Sequence, residues 1–155
     1  MPASSLPIPA QGRFADLELE HLEAVSVIER QSFANPWLPV ELGWVVQSEV
    51  GVCVGLWVER ELIGYGLGQL EGVLFHLTSL AIAPAWRRQR WGSQLLQEML
   101  RRARQRGGSA CRLEVRTGNR AAIDLYCHCG FRQEGRETDF YTRPTEDALI
   151  MYREL

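Results

Sequence analysis

A chain of 155 residues with 46% hydrophobic and 23% charged side chains has the length of one domain and the composition of an ordinary globular protein. No apolar run approaches the roughly 20 residues that a membrane-spanning helix needs, and the first ten residues have neither the basic start nor the apolar stretch of a secretory leader, so a soluble, cytoplasmic protein without a membrane partner is expected. The net charge of -2 conceals an uneven spread: residues 1–80 hold three Arg against ten acids, residues 81–155 hold 14 Arg against nine acids, and the chain has no Lys.

In chain order, Met1 to Gly12 is rich in Pro and Ser and reads as a flexible arm, leaving 13–155 as a single domain that opens with a short strand over 13–17. Leu22, Val25, Ile28 and Phe33 follow at helical spacing, and Asn35-Pro36-Trp37-Leu38-Pro39 breaks that helix before a second one over 40–49. Residues 52–59 and 62–70 are dominated by β-branched, aromatic and Gly residues and read as a hairpin around Glu59-Arg60-Glu61, with a third strand over 73–82 ending at Pro84. A helix from Gly92 presents Leu95, Leu96, Met99, Leu100 and Ala103 to a core and stops at Gly107-Gly108. Cys111, Leu113 and Val115 alternate with Arg112, Glu114 and Arg116 as in a strand, and Asn119 can cap a helix that runs to Cys129 and ends at Gly130. Residues 131–141 and 148–153 read as a closing strand pair. The sum is an α/β (mixed α+β) domain, with a mixed, mostly antiparallel sheet of about seven strands, helices on both faces and one right-handed strand-helix-strand crossover.

Ten of the arginines fall within Arg87 to Arg120. Such a density suits a nucleic acid, a phosphorylated cofactor or solvated helix faces, and charge alone does not choose among them. The four cysteines fit no disulfide scaffold and are expected as thiols; Cys111, Cys127, His128 and Cys129 have no zinc-like spacing, so no metal is expected. The Arg-rich stretch 101–106 lacks the aromatic interleaving or helix-turn-helix spacing of a nucleic-acid module.

The informative junction is Ala83-Pro84-Ala85-Trp86-Arg87-Arg88-Gln89-Arg90-Trp91-Gly92-Ser93, where a strand passes through a basic loop into a helix N-terminus. Unpaired backbone N–H groups and the positive end of the helix dipole converge at such a place, so Arg88 to Ser93 would hold a pyrophosphate, with Arg side chains adding charge. On spacing alone, the same loop also reads as arginines facing water. On spacing alone, Glu114 reads as part of a salt-bridge ladder with Arg112 and Arg116, and Tyr126 as core packing beside Ala122 and Ile123.

These pieces stand together in one order: Asn-Pro-Trp at 35–37, Leu-Ala-Ile-Ala-Pro at 80–84, Arg-Arg-Gln-Arg-Trp-Gly at 87–92, Leu-Glu-Val-Arg at 113–116, Asn-Arg-Ala-Ala-Ile-Asp-Leu-Tyr at 119–126, Gly-Phe at 130–131, and Tyr141 ahead of Glu146 to Met151. Over nearly the whole chain this resembles the GNAT family of N-acetyltransferases, and within it the bacterial enzymes that acetylate the N-terminal alanine of a small-subunit ribosomal protein. The resemblance implies acetyl-CoA as co-substrate and a protein N-terminus as acceptor. It implies that backbone N–H groups of Leu80, Ala81 and Ile82, at a bulge, meet the pantetheine arm and the oxyanion. The loop Arg87, Arg88, Gln89, Arg90, Trp91, Gly92 and Ser93 would take the pyrophosphate, with Asn119 serving the cofactor, its helix cap or both. Glu114 would be the general base, Tyr126 the acid for the leaving thiolate, Trp37 and Tyr141 the walls of the acceptor slot, and Glu41, Glu137 and Asp139 partners of a basic substrate tail. One position departs from the family pattern: Arg90 stands where the loop ordinarily has its first Gly.

Overall fold

The computed structural model describes residues 11–155, so most of the arm expected over 1–12 lies outside the described residues, and Gly12 already belongs to the first strand. The elements are β1 Gly12–Asp16, α1 Leu22–Ser32, α2 Pro39–Gln47, β2 Gly51–Val58, β3 Glu61–Glu71, β4 Leu74–Ile82, α3 Trp91–Gln105, β5 Ala110–Arg116, α4 Arg120–His128, β6 Arg132–Tyr141 and β7 Glu146–Glu154, with 3-10 turns at Leu19–His21 and Pro84–Trp86. The expected strands and helices are present in the expected order, with ends moved by one or two residues.

The strands form one sheet in the order β1-β2-β3-β4-β5-β7-β6. Every neighbouring pair is antiparallel except β4 and β5, which α3 joins as a crossover. β2 and β3 are buried over almost their whole length because helices cover both faces. On one face α3 lays Leu95, Leu96, Met99, Leu100 and Ala103 against Val54, Leu56, Ile63 and Phe75, and Ile123 and Tyr126 of α4 complete that core. Gly66 lets α3 come this close: a Cβ there would meet Met99 Sδ at 2.8 Å. On the other face Val25, Ile28 and Leu42 of α1 and α2 pack on Trp57, Tyr65 and Leu67.

Three arginines at the end of α3 and just beyond it have partners. Arg101 and Arg102 pair with Glu98, Arg102 also reaches Asp16 at 2.6 Å, and Arg106 donates to the carbonyls of Gly51 and Glu49. Much of the basic charge in this part of the sequence therefore braces α3 against the β1–β2 edge.

The feature that shapes the site is a parting of strands. β4 and β5 pair only over Leu74–His76 and Ala110–Arg112. Beyond that point β5 stays on β7, while β4 stays on β3 with Thr78 as an extra residue between the pairs Gly68–Leu77 and Leu67–Ser79. The Thr78 hydroxyl donates to Leu67 O at 3.0 Å and holds the bulge. An extra residue reverses the alternation: Phe75 and Leu77 face α3 before the bulge, whereas Ser79 and Ala81 face α1 after it.

Candidate active site

The wedge between β4 and β5 leaves backbone groups without a strand partner. Ala83 N–H bonds back to Ile63 O at 2.7 Å, so by alternation the Ala81 amide also faces β3, and the amides of Leu80 and Ile82 face the wedge. Ile82 O, on the same side, accepts Arg87 Nε at 2.9 Å.

Two cavities meet here. The larger, about 800 Å³, runs along the start of α3 and is lined by Leu80, Ala81, Ile82, Arg87, Arg88, Arg90, Trp91, Gly92 and Ser93, with Asn119, Ala122 and Leu125 of α4 opposite. Gln89 is not part of this lining; its side chain accepts the Trp91 indole N–H at 3.4 Å. The Trp91 side chain is itself buried in the α3 core. Arg87 is fixed by Ile82 O and by Ser32 Oγ at 3.0 Å. The main chain turns into α3 through Arg88 and Arg90, with φ of +63° and +68°, a left-handed conformation that costs a non-Gly residue roughly 1 kcal/mol or more. Arg90 therefore adopts the backbone shape for which glycine is the usual residue, and Trp91, Gly92 and Ser93, whose N–H groups precede the first intrahelical bond of α3, line the groove.

The smaller cavity, about 250 Å³, lies between β4 and β5 and shares Ser32, Phe33, Leu80, Asn119 and Ala122 with the groove, so the two are continuous. Glu114, Tyr126, Trp37 and Tyr141 all line it. Asn119 does cap α4, its Oδ1 accepting Ala122 N–H at 3.2 Å. Trp37 sits on the loop between α1 and α2 and Tyr141 at the end of β6; Asn35 Nδ2 donates to Thr142 O and joins the two walls. Arg116 fixes the Tyr141 side by lying 4.4 Å over its ring and by bonding Glu146 at 3.1 Å. Glu41, Glu137 and Asp139 do not line the cavity; Glu41 caps α2 by accepting Leu38 N–H at 3.0 Å.

Glu114 is half-buried and accepts from His76 Nε2 at 2.7 Å, with Arg112 Nη2 3.7 Å from its other oxygen. Burial pushes its carboxyl up, but the His76 hydrogen bond and the His76 and Arg112 charges outweigh burial and hold it below the ordinary value. His76 is raised in turn, first by that hydrogen bond and further by the charges of Glu114 and Glu71, whose Oε1 lies 3.4 Å from Nδ1. Tyr126 is buried with its ring tilted against Phe131, and burial, then the neighbouring Cys111 and Tyr141, push its phenol well above the ordinary value. Tyr141 is pushed up to about 12, chiefly by burial and then by Glu114.

Sequence reading missed His76 and Glu29. His76 becomes Glu114's partner only because β4 and β5 pair in parallel with His76 opposite Arg112, which local spacing does not reveal. Glu29 did leave a signal, a charged residue on the stripe formed by Leu22, Val25 and Ile28. Among the described residues no group of three or more His, Cys, Asp or Glu is placed to hold a metal, the four cysteines are free, and no helix is long and apolar enough to cross a membrane.

The profile of the Acetyltransferase (GNAT) family matches residues 17–131. The chain belongs to that family. It is 32% identical over 133 residues to the N-alpha-acetyltransferase RimI of Mycobacterium tuberculosis, covering 82% of each chain. It is 33% identical over 124 residues to an uncharacterized Mycobacterium leprae protein, of which it spans about a third of the length. The crystal structure of the ribosomal-protein-S18-alanine N-acetyltransferase from Escherichia coli superposes with a TM-score of 0.86 at 29% identity, over 93% of this chain and 94% of that one. This GNAT chain thus has the seven-stranded fold of an acetyltransferase, with relatives that act on a ribosomal protein.

Proposed function

We propose that this chain moves the acetyl group of acetyl-CoA to the α-amino group of a protein N-terminus, with the N-terminal alanine of a small-subunit ribosomal protein as its first candidate and the cytoplasm as its site of action. The observation that carries this reading is the junction of the two cavities, where Glu114 and Tyr126 line the smaller space and the Leu80 and Ile82 amides face the wedge beside it. The chemistry needs three groups. Backbone N–H groups at Leu80 and Ile82 stabilise the oxyanion formed when the amine attacks the thioester carbonyl. Glu114 removes a proton from the amine, directly or through water, and Tyr126 supplies a proton to the departing CoA thiolate. Arg87, Arg88, Arg90 and the N–H groups from Trp91 to Ser93 receive the pyrophosphate, as a helix N-terminus does for other anions.

Two features favour an N-terminal acceptor. The Asn35–Thr142 contact joins the walls that carry Trp37 and Tyr141, which suits entry by a chain end. Glu114 is a weak base, its carboxyl held low by His76 and Arg112 after burial is overcome. An α-amine with a pKa near 8 is roughly one-tenth neutral at pH 7, whereas a lysine near 10.4 is neutral in less than about one molecule in a thousand; a weak base suffices for the former.

The test is a mass-spectrometric assay of the protein with acetyl-CoA and two basic peptides, one lysine-free with a free N-terminal alanine, the other N-blocked with a lysine. Mass gain on the free α-amine alone is the expected result. Gain on the blocked peptide moves the activity to lysine side chains; gain on neither, with acetyl-CoA still bound, leaves small amines or a non-catalytic sensor.

A further inference from the structure

α1 carries a carboxylate on the stripe that packs against the sheet. Glu29 is only 1% exposed, yet it lines the smaller cavity. Its Oε1 accepts from the Tyr65 hydroxyl at 2.7 Å and from Ser79 Oγ at 2.8 Å, while among the described residues Oε2 accepts only the Trp37 backbone N–H, at 3.4 Å. Burial, and then the Glu29 charge, push the Tyr65 phenol far up, so that it remains a donor at any working pH. Each of these donors is neutral, and among the described residues Glu29 forms no ion pair.

A carboxylate removed from water is ordinarily matched by a counter-ion, because desolvation of the charge is costly. The second carboxylate of the cavity, Glu114, has His76 and Arg112. Glu29 has spare acceptor capacity on Oε2 and an uncompensated charge beside an open space that a cation from outside can enter.

We infer that Glu29 is the ammonium subsite of this cavity: Oε2 binds the protonated amine of the acceptor before Glu114 takes the proton. The inference rests on the acceptor reading above and names the form in which the acceptor binds. It also fixes how the two carboxylates divide the work. Attraction between Glu29 and the ammonium exists only while the amine is charged, so it acts on the bound ground state and is gone once the amine is neutral. Removing it weakens binding and lowers the barrier from the bound state, so KM rises, and kcat rises with it where the chemical step limits turnover and stays unchanged where product release does.

The experiment compares the full chain with Glu29→Gln, which keeps the shape of the side chain. Kinetics use acetyl-CoA and the lysine-free alanine peptide; a separate binding measurement on protein saturated with CoA compares that peptide with one carrying a hydroxyl in place of the terminal amine. The expected result is a peptide KM raised about tenfold or more, kcat unchanged or higher, KM for acetyl-CoA unchanged, and loss of a preference for the ammonium peptide that the original chain has. Equal peptide KM in both proteins, a lower kcat at unchanged KM, or no ammonium preference in the original chain overturns the subsite. If Glu29→Gln does not fold, Tyr65→Phe keeps the carboxylate with one donor fewer, and its ammonium preference must persist or grow; its loss overturns the subsite. The two readings fail separately. Acetylation of lysine only, with KM still raised in Glu29→Gln, ends the N-terminal reading and keeps the subsite. Acetylation of the α-amine unaffected by Glu29→Gln does the reverse, and the binding measurement decides even where no peptide is turned over.

Discussion

The two cavities that meet at β4 are built on different principles. The groove at the start of α3 presents backbone N–H groups and three arginines; among the described residues, the only side-chain hydrogen bonds holding any of these arginines are Arg87's to Ile82 O and Ser32. The smaller cavity presents buried and half-buried side chains held by named partners: Glu114 by His76, Glu29 by Tyr65 and Ser79, Tyr141 by Arg116. Binding spread over many amides and exposed charges tolerates the loss of any one of them. Chemistry done by single buried groups does not, and single substitutions in the two cavities ought to differ by orders of magnitude.

The largest effect is expected for Glu114→Gln. The amide is nearly isosteric and still meets His76, so the fold and acetyl-CoA affinity stay as they are, while kcat/KM for the α-amine peptide falls by about 10³, within the usual range for a lost general base. Steady-state kinetics with a parallel calorimetric titration of acetyl-CoA check it; a loss below tenfold would break the contrast between the cavities.

Tyr126→Phe comes next. The raised phenol is protonated throughout the working range, but it is a poor acid toward a thiolate. The loss in kcat is therefore expected near the low end for a general acid, about a hundredfold, with both KM values unchanged. Because the ring keeps its packing on Phe131, Tm should hold.

His76→Gln tests whether a side chain that touches Glu114 acts through it. His76 is raised above its ordinary 6.5 by the Glu114 hydrogen bond and the Glu114 and Glu71 charges, against burial and Arg112. While protonated it depresses the basicity of Glu114; as pH rises through its folded value, that positive charge is lost and Glu114 becomes a better base. The original chain should thus show a rise in kcat/KM beginning above pH 6.5, and His76→Gln should lose that limb, keeping only the one set by the amine near 8. At neutral pH the change in rate is a few-fold. Linkage runs in the same direction for stability. The raised His76 contributes fully below 6.5 and loses its contribution as pH rises through its folded value. Lowered Glu114 contributes above 4.5 and loses it as pH falls through its folded value. The pair stabilises most between those ordinary values.

What could be read from the sequence follows the same division. Strands, helices and their order were legible because their signals are local: period-two alternation in 111–116, the helical stripe from Leu95 to Ala103, the Asn119 cap. The junction at 83–93 and the positions of Glu114 and Tyr126 were legible as motifs in order. The parting of β4 from β5 was expected only from a family resemblance, since one extra residue at Thr78 leaves no mark in composition or period. His76 was invisible because its partner lies 38 positions away across a parallel pair, and Glu29 was passed over because a lone charge on an apolar stripe reads as a lapse in the pattern.

Arg90 gives the smallest effect and the finest test of the groove. Its φ of +68° is strained for any residue with a Cβ. In Arg90→Gly two consequences separate. Relief of strain, about 1 kcal/mol less the extra chain entropy of glycine, raises Tm by at most a few degrees in a domain of this size. Loss of one exposed charge weakens acetyl-CoA about two- to threefold at low ionic strength, and the difference shrinks as salt is added, because amides of Trp91 to Ser93 and the other arginines still hold the anion. Thermal melts and a salt series of acetyl-CoA titrations measure both. A hundredfold loss of affinity, persistent at high salt, would mean that Arg90 makes a fixed contact with the anion and that the groove, like the smaller cavity, depends on one side chain.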